Sequence, residues 1–254
     1  MKILITGTNG YIGKSLYNTL KNKYEVSTIT RDKCDLTNSE DVNFYFLDTW
    51  FDVIIHCAVV GGSRLKEDDW GVMDSNLQMY YNILSNKSHY GKLIHLGSGA
   101  ELYKKDQPYG FSKDTIYKSI LTKNNFYNIR IFGVFDENEL DTRFIKANIK
   151  RYVNKEPIII YQDKLMDFIY MPDLIKIVEY YIKDNGPKEI NCNYNKTFTL
   201  KEIANIINNL NDYKVEIKIE QENFGDDYIG NYLHLEIDFI GLKQGIIETY
   251  NKLK

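Results

Sequence analysis

Hydrophobic positions along this chain switch between two periods. Residues 2–6 (KILIT) form a continuous apolar run closed by a glycine turn, and residues 11–23 then carry Ile12, Leu16 and Leu20 four apart, one apolar face of a helix. The alternation repeats. Strands are predicted at 26–30, 53–57, 92–96 and 127–132, with helices at 39–48, 73–84 and 111–122 between them and Ser39 as a cap for the first of these helices. Repeated strand–helix–strand units require a parallel sheet covered by helices on both faces, so the expected fold class is α/β, a doubly wound sheet. Beyond Gly133 the pattern loosens. Helices are predicted at 142–152, 173–182, 200–210 and 242–253, and strands at 157–161, 188–192 and 214–219. No Pro/Ser-rich linker, repeat or low-complexity tract separates the two stretches. Residues 1–135 are therefore read as the sheet core, and 136–254 as a mixed region that completes the sheet and forms a smaller C-terminal lobe.

Composition narrows the class. A chain of 254 residues with 43% apolar side chains fits one large domain, or one domain with a small lobe. Lys and Arg (32) nearly balance Asp and Glu (35), and a net charge of −3 gives no reason to expect a nucleic-acid partner. Cys34, Cys57 and Cys192 are odd in number and scattered, with no CxxC pair, which points to reduced thiols in a cytoplasmic protein rather than a disulfide framework or zinc site. No apolar run approaches the roughly 18 residues needed to span a bilayer, so no membrane partner is expected. The first strand begins at Lys2 and leaves no room for a signal peptide. His56 and His95 read as packed, hydrogen-bonded histidines, and no His/Asp/Glu cluster has metal spacing.

The first strand-to-helix turn, TGTNGYIG at 6–13, places glycines at 7, 10 and 13. Glycine lets the backbone turn sharply and approach a pyrophosphate closely, and the helix that starts there points N–H groups and its positive dipole end at the anion. At this place in a βαβ series the triplet marks a dinucleotide site and a Rossmann fold. The second strand ends in Thr30-Arg31-Asp32, where the adenosine ribose would lie. An arginine there suits the 2′-phosphate of NADP and an acid the 2′-hydroxyl of NAD. Arg31 directly follows the strand and favours NADP(H), while Asp32 leaves NAD(H) open.

Tyr109 and Lys113 stand four apart at the start of a helix, in PYGFSK, and so share one face. A free tyrosine has a pKa of about 10, but a nearby ammonium, a helix N-terminus and an oxidised nicotinamide each favour the phenolate. Ser98, at the end of the fourth strand, could hydrogen-bond a substrate carbonyl.

Together with the glycine turn, these features make the chain resemble the extended short-chain dehydrogenase/reductase family, the nucleotide-sugar epimerases, dehydratases and reductases. The matching pieces run in family order: TGTNGYIG at 6–13, DLTN at 35–38, HCAVVGG at 56–62, Asn76, LGS at 96–98, YGFSK at 109–113, RIFGVF at 130–135 and DFIYMPDL at 167–174. The resemblance implies that Gly7, Asn9, Gly10, Tyr11, Ile12 and Gly13 hold the cofactor pyrophosphate, that Asp35 and Leu36 border the adenine, that Cys57, Ala58 and Val59 line the groove beside the ribose, and that Asn76 also binds the cofactor. It makes Tyr109 the proton donor and acceptor, Lys113 the holder of the nicotinamide ribose, and Ser98 the residue that aligns the carbonyl. The substrate side would be bordered by Gly61, Ser98, Gly133 and Arg143.

The chain also departs from the pattern. Gly99 and Ala100 stand where the dehydratases carry an acid pair, and Ala100 and Arg143 stand where the GDP-fucose synthase branch carries its epimerising Cys and His. Met166 replaces an arginine that helps hold the diphosphate, Gly133 replaces an asparagine, and only eleven positions separate Ser98 from Tyr109. Arg143, Lys146 or Arg151 could restore the lost positive charge. The expected activity is reduction of a nucleotide-linked keto-sugar, a 4-keto-6-deoxyhexose, by NAD(P)H. The alternatives are a 4-epimerase with tightly bound NAD and a non-catalytic NADP-binding regulator. The helices at 73–84 and 111–122 resemble those that pair in homodimers of this family.

Overall fold

The computed structural model describes every residue except Arg64. In chain order the elements are β1 (Lys2–Thr6), α1 (Tyr11–Leu20), β2 (Glu25–Ile29), α2 (Ser39–Phe46), β3 (Phe51–His56), α3 (Trp70–Ser85), β4 (Tyr90–Ser98), α4 (Ala100–Tyr103), α5 (Pro108–Leu121) and β5 (Phe126–Ile131). There follow β6 (Val134–Phe135), α6 (Phe144–Val153), β7 (Ile158–Gln162), β8 (Ile169–Tyr170), α7 (Met171–Lys183), β9 (Glu189–Cys192), α8 (Leu200–Asn208), β10 (Ile217–Gln221) and α9 (Leu242–Leu253).

Six strands form one sheet in the order β2-β1-β3-β4-β5-β9, and β1 pairs in parallel with both β2 and β3, as β3 does with β4. The chain steps outward from β1 in one direction to β2 and in the other to β3. That reversal opens a crevice at the carboxyl ends of β1 and β3, the usual ligand position in such sheets. The expected α/β doubly wound fold is thus present. One face of the sheet is closed by an apolar cluster that includes Leu4, Val42, Phe46, Ile54, Tyr80, Ile83, Leu93 and Ile116, drawn from strands and from α2, α3 and α5.

Two compact units divide the chain: Met1–Arg130 with Val178–Ile190, and Ile131–Ile177 with Asn191–Lys254. The second has its own core, in which Ile145, Ile149 and Tyr152 of α6 meet Ile158 and Ile160 of β7 and Ile203 and Ile207 of α8. Its strands pair only two by two, β10 with β7 and β6 with β8.

Several element boundaries differ from expectation by two or three residues, and three of the shifts have local reasons. Helix α5 begins at Pro108 rather than 111, because proline at the first helical position loses no hydrogen bond and presets its φ. Helix α3 begins at Trp70 rather than 73, with the Val72 N–H donating to the Asp69 carbonyl. The last strand begins at Ile217 rather than 214. The Asn208 side chain accepts the Val215 N–H and donates to the Val215 carbonyl, both at 2.9 Å, which takes that residue out of the ladder.

Candidate active site

Thr6 ends β1 with a fully buried side chain. Its Oγ1 accepts the N–H groups of Cys57 and Ala58 at 3.1 Å each and lies 2.9 Å from His56 Nδ1, which ties the carboxyl ends of β1 and β3 together. The glycine turn follows. Gly7 has φ +69°, and a Cβ on it would come within 2.6 Å of the Ala58 nitrogen; a Cβ on Gly13 would come within 2.4 Å of the Gly7 carbonyl oxygen. These two positions admit only glycine because backbone packs on backbone. Gly10 caps α1 without a side chain, and the first turn holds no acidic residue, so the positive end of the helix is left to an external anion. Asn9 and Gly10 are exposed, Tyr11 and Ile12 half-buried, and Gly13 buried at the turn. The cradle therefore fits a dinucleotide pyrophosphate.

From the cradle a short loop leads to the phenol. Ala58 touches Gly7 at one end, and at the other Gly62 (φ +72°) lies so close to Tyr109 that a Cβ on it would sit 2.8 Å from ring atoms Cε2 and Cζ. Asn76 staples the loop: its Oδ1 accepts the Val60 N–H at 2.8 Å, and its Nδ2 donates to the Val60 carbonyl at 3.0 Å and to Ser112 Oγ at 3.2 Å. Asp68 accepts the Gly62 N–H at 2.9 Å. The Asn76 side chain is spent on protein groups rather than turned to a cofactor. Gly61 (φ +77°) faces Val72 and Asp68, and its neighbour Gly62 is the glycine against the phenol. Cys57 and Ala58 are half-buried and Val59 is exposed along the same loop.

Tyr109 and Lys113 lie one turn apart on α5, with the Lys113 ammonium 5.9 Å from the Tyr109 ring centre. Lys113 is buried; its Nζ donates to the Leu96 carbonyl at 2.7 Å and lies 3.4 Å from His95 Nε2. Burial lowers its pKa to about 8, against the opposing pull of Glu101. Burial, with help from Lys113, drives His56 down to about 3 and His95 well below the usual imidazole range, so both are neutral packing histidines. Burial pushes the Cys57 thiol up to about 12. Ser98 ends β4 half-buried, and its Oγ accepts the Ala100 N–H at 3.2 Å.

Sequence reasoning missed Glu101. It is fully buried and accepts from the Ser98 N–H at 2.8 Å, from Asn128 Nδ2 at 2.9 Å and from Arg130 Nε at 2.9 Å. The signal was available in Arg130, a cation inside the apolar strand FYNIRI, which requires a buried anion.

At the ribose end, Arg31 is exposed, with its Nε 3.6 Å from Asp35 Oδ2. Asp32 is exposed and held below the usual carboxylate range mainly by a hydrogen bond from Thr30. Asp35 accepts both the N–H and the hydroxyl of Thr37. The Leu36 side chain turns into the sheet core with Val42 and Phe46, which leaves its backbone to border a base.

Residues 3–195 match the model of the NAD dependent epimerase/dehydratase family. The chain belongs to this family. It is 25% identical over 246 residues to CDP-abequose synthase of Yersinia pseudotuberculosis, covering 85% of this chain and 87% of that protein. Among solved structures, UDP-glucose 4-epimerase of Thermotoga maritima, with UDP-glucose, superposes with a TM-score of 0.80 at 15% identity over 99% of this chain and 98% of that one. GDP-mannoheptose C4 reductase of Campylobacter jejuni, with NADP bound, gives 0.78 at 18% identity over 98% and 97%. These two share the fold.

As a member of the epimerase/dehydratase family, an NAD(P)-dependent family of nucleotide-sugar enzymes, the chain shows its departures in physical form. Glu101 follows the Gly99-Ala100 gap, but its carboxylate is consumed by three donors and shut from solvent, so it does not replace the missing acid pair. In the second unit Met166 is buried, its N–H donating to the Phe198 carbonyl. A Cβ on Gly133 would sit 2.7 Å from Phe168 Cδ1, which excludes the expected asparagine. Lys146 is committed to the Glu139 carbonyl at 2.6 Å and to Asp141 at 2.9 Å, and Arg151 reaches Asn148 at 3.5 Å. Arg143 opens α6 as its N-cap. Among the described residues no helix is long and apolar enough to cross a membrane.

Proposed function

We propose that this chain is an NADPH-dependent reductase of a ketone on a nucleotide-linked sugar, a 4-keto-6-deoxyhexose. The observation that carries the reading is the loop Ala58 to Gly62, which packs on the glycine cradle at one end and on the Tyr109 ring at the other. One ligand lying along that loop would have its pyrophosphate at α1 and its far end at the phenol. When bound, the dinucleotide supplies hydride to a carbonyl carbon. The protein's own groups do the rest. Gly7, Asn9, Gly10, Tyr11, Ile12 and Gly13 would hold the pyrophosphate, with Cys57, Ala58 and Val59 lining the groove. Arg31 would pair with a 2′-phosphate, displacing its loose contact with Asp35. Ser98 would orient the carbonyl, Tyr109 would deliver its proton to the carbonyl oxygen, and the Lys113 cation would stabilise the phenolate left behind. Loss of the acid pair argues against dehydration. Bound NADP in the heptose C4 reductase supports the cofactor choice.

A 4-epimerase with tightly held NAD is the second reading, supported by the equally close UDP-glucose 4-epimerase and by Asp32 beside Arg31. Incubation of the protein with NADPH and a nucleotide-linked 4-keto-6-deoxyhexose tests the choice. Stoichiometric loss of reduced cofactor is expected for the reductase. Interconversion of 4-epimeric sugar nucleotides supplied without NADPH, with no net cofactor consumption, would favour the epimerase, and absence of both activities would remove both readings.

A further inference from the structure

Beneath Ser98 lies a buried charge cluster that the proposed reaction does not use. Glu101 and Arg130 are 0% and 3% exposed and pair at 2.9 Å; Arg130 also reaches Glu189 at 2.7 Å, at the rim. Buried ion pairs are costly to form and are often no more stable than apolar replacements. This one sits where strand geometry matters. Lys113 grips β4 at the Leu96 carbonyl, and Glu101 grips it two residues later at the Ser98 N–H. Gly97 lies between them, and a Cβ on it would come within 2.3 Å of Glu101 Oε1, so a glycine is required for the carboxylate to enter.

We propose that Glu101 is a positioning residue of the site: its carboxylate fixes the Ser98 backbone and supplies the buried negative charge that balances the Lys113 ammonium. The proposal rests on the reading of Ser98, Tyr109 and Lys113 as the proton-transfer group. The groups that face Lys113 are His56 and Cys57 from β3 and its end, His95 from β4, Tyr109 from its own helix, and Glu101 from α4. Both histidines are neutral and Cys57 is a thiol, so Glu101 is the anion of this set; burial pushes its carboxyl up, and the paired Arg130, the Ser98 N–H and the Lys113 charge oppose that rise. Its donors are all N–H groups, which only an ionised carboxylate satisfies on both oxygens. Without that charge, burial would drive Lys113 toward its neutral form.

The test uses the full chain labelled with ¹³C at lysine Cε, the Lys113 signal being assigned by its loss in Lys113→Met. Burial of Lys113 sets the expected wild-type midpoint at about 8. Glu101→Gln keeps an acceptor for the Ser98 N–H but no charge, and its midpoint is expected to fall by about one pH unit or more. The falling limb of kcat against pH moves to lower pH with it. Glu101→Asp keeps the charge but withdraws from Ser98; its midpoint stays near the wild-type value while kcat drops. Should Glu101→Gln not fold, Glu101→Asp carries the test, and a wild-type kcat in that variant overturns the placing of Ser98 by Glu101. A Glu101→Gln midpoint equal to that measured for the wild type overturns the proposal. The titration needs no substrate, so the two readings fail separately. Absence of NADPH turnover with a lowered midpoint counts against the assigned reaction, and turnover with an unmoved midpoint counts against Glu101.

Discussion

The two units solve the problem of presenting polar groups in opposite ways. In the first, the reactive positions are set by backbone: Gly7 against Ala58, Gly13 against Gly7 and Gly62 against Tyr109 leave no room for a single extra carbon. In the second, the polar side chains mostly serve one another. Asp167 accepts from Asn193 Nδ2 and the Gly230 N–H, while Lys146 and Lys150 converge on Asp141. A ligand part common to a whole family, such as a pyrophosphate, can be met by fixed main chain. A part that varies has to be met by side chains, whose partners can change without disturbing the fold.

The contrast breaks or sharpens under substitution. Tyr109→Phe removes the proposed proton donor while keeping the ring against Gly62, and kcat is expected to fall by about 10²–10⁴ with little change in cofactor affinity; steady-state kinetics and cofactor titration check both halves. Gly13→Ala forces a carbon into the Gly7 carbonyl, and the dissociation constant for NADPH should rise roughly a hundredfold by fluorescence titration, since an ångström of misplacement costs about that much. Arg31→Ala acts at a solvent-exposed side chain, so the preference for NADPH over NADH should drop about tenfold with no loss of stability.

The smallest effect belongs to the second unit. Burial raises the Glu139 carboxyl to about 8 from an ordinary 4.5, against opposition from the Lys146 N–H and the Arg143 charge. The folded state then holds a proton that the unfolded chain has released across that interval. The resulting stabilisation is complete below about 4.5 and is lost as pH rises through about 8. Glu139→Gln should therefore flatten the fall of the urea midpoint between those two values. An unchanged slope would mean that Glu139 is ionised in the fold.

Local signals were the ones that could be read along the chain. The glycine turn, the four-residue spacing of Tyr109 and Lys113 and the strand–helix alternation each lie within a few residues, and each corresponds to the structure. What escaped depends on distant partners. Glu101 meets Arg130 across 29 positions, and Asp167 meets Gly230 across 63. Asn76 reads as a ligand residue until its contacts with Val60 and Ser112 are seen. Leu36 follows a surface turn in sequence yet enters the core, and the single-turn helix α4 is too short to carry a periodic pattern. In the second unit the basic residues of α6 looked interchangeable; only their pairings separate Arg143 from Lys146 and Arg151.

The most direct measurement follows the hydride itself. Reduced cofactor carrying deuterium at the transferable position is incubated with the protein and a nucleotide-linked 4-keto-6-deoxyhexose, and the sugar product is analysed by mass and by NMR. The account predicts one deuterium on the former carbonyl carbon, and transfer slowed by about 10²–10⁴ when Tyr109→Phe replaces the wild type. An unlabelled reduced product, or full transfer by the Tyr109→Phe protein, would contradict it.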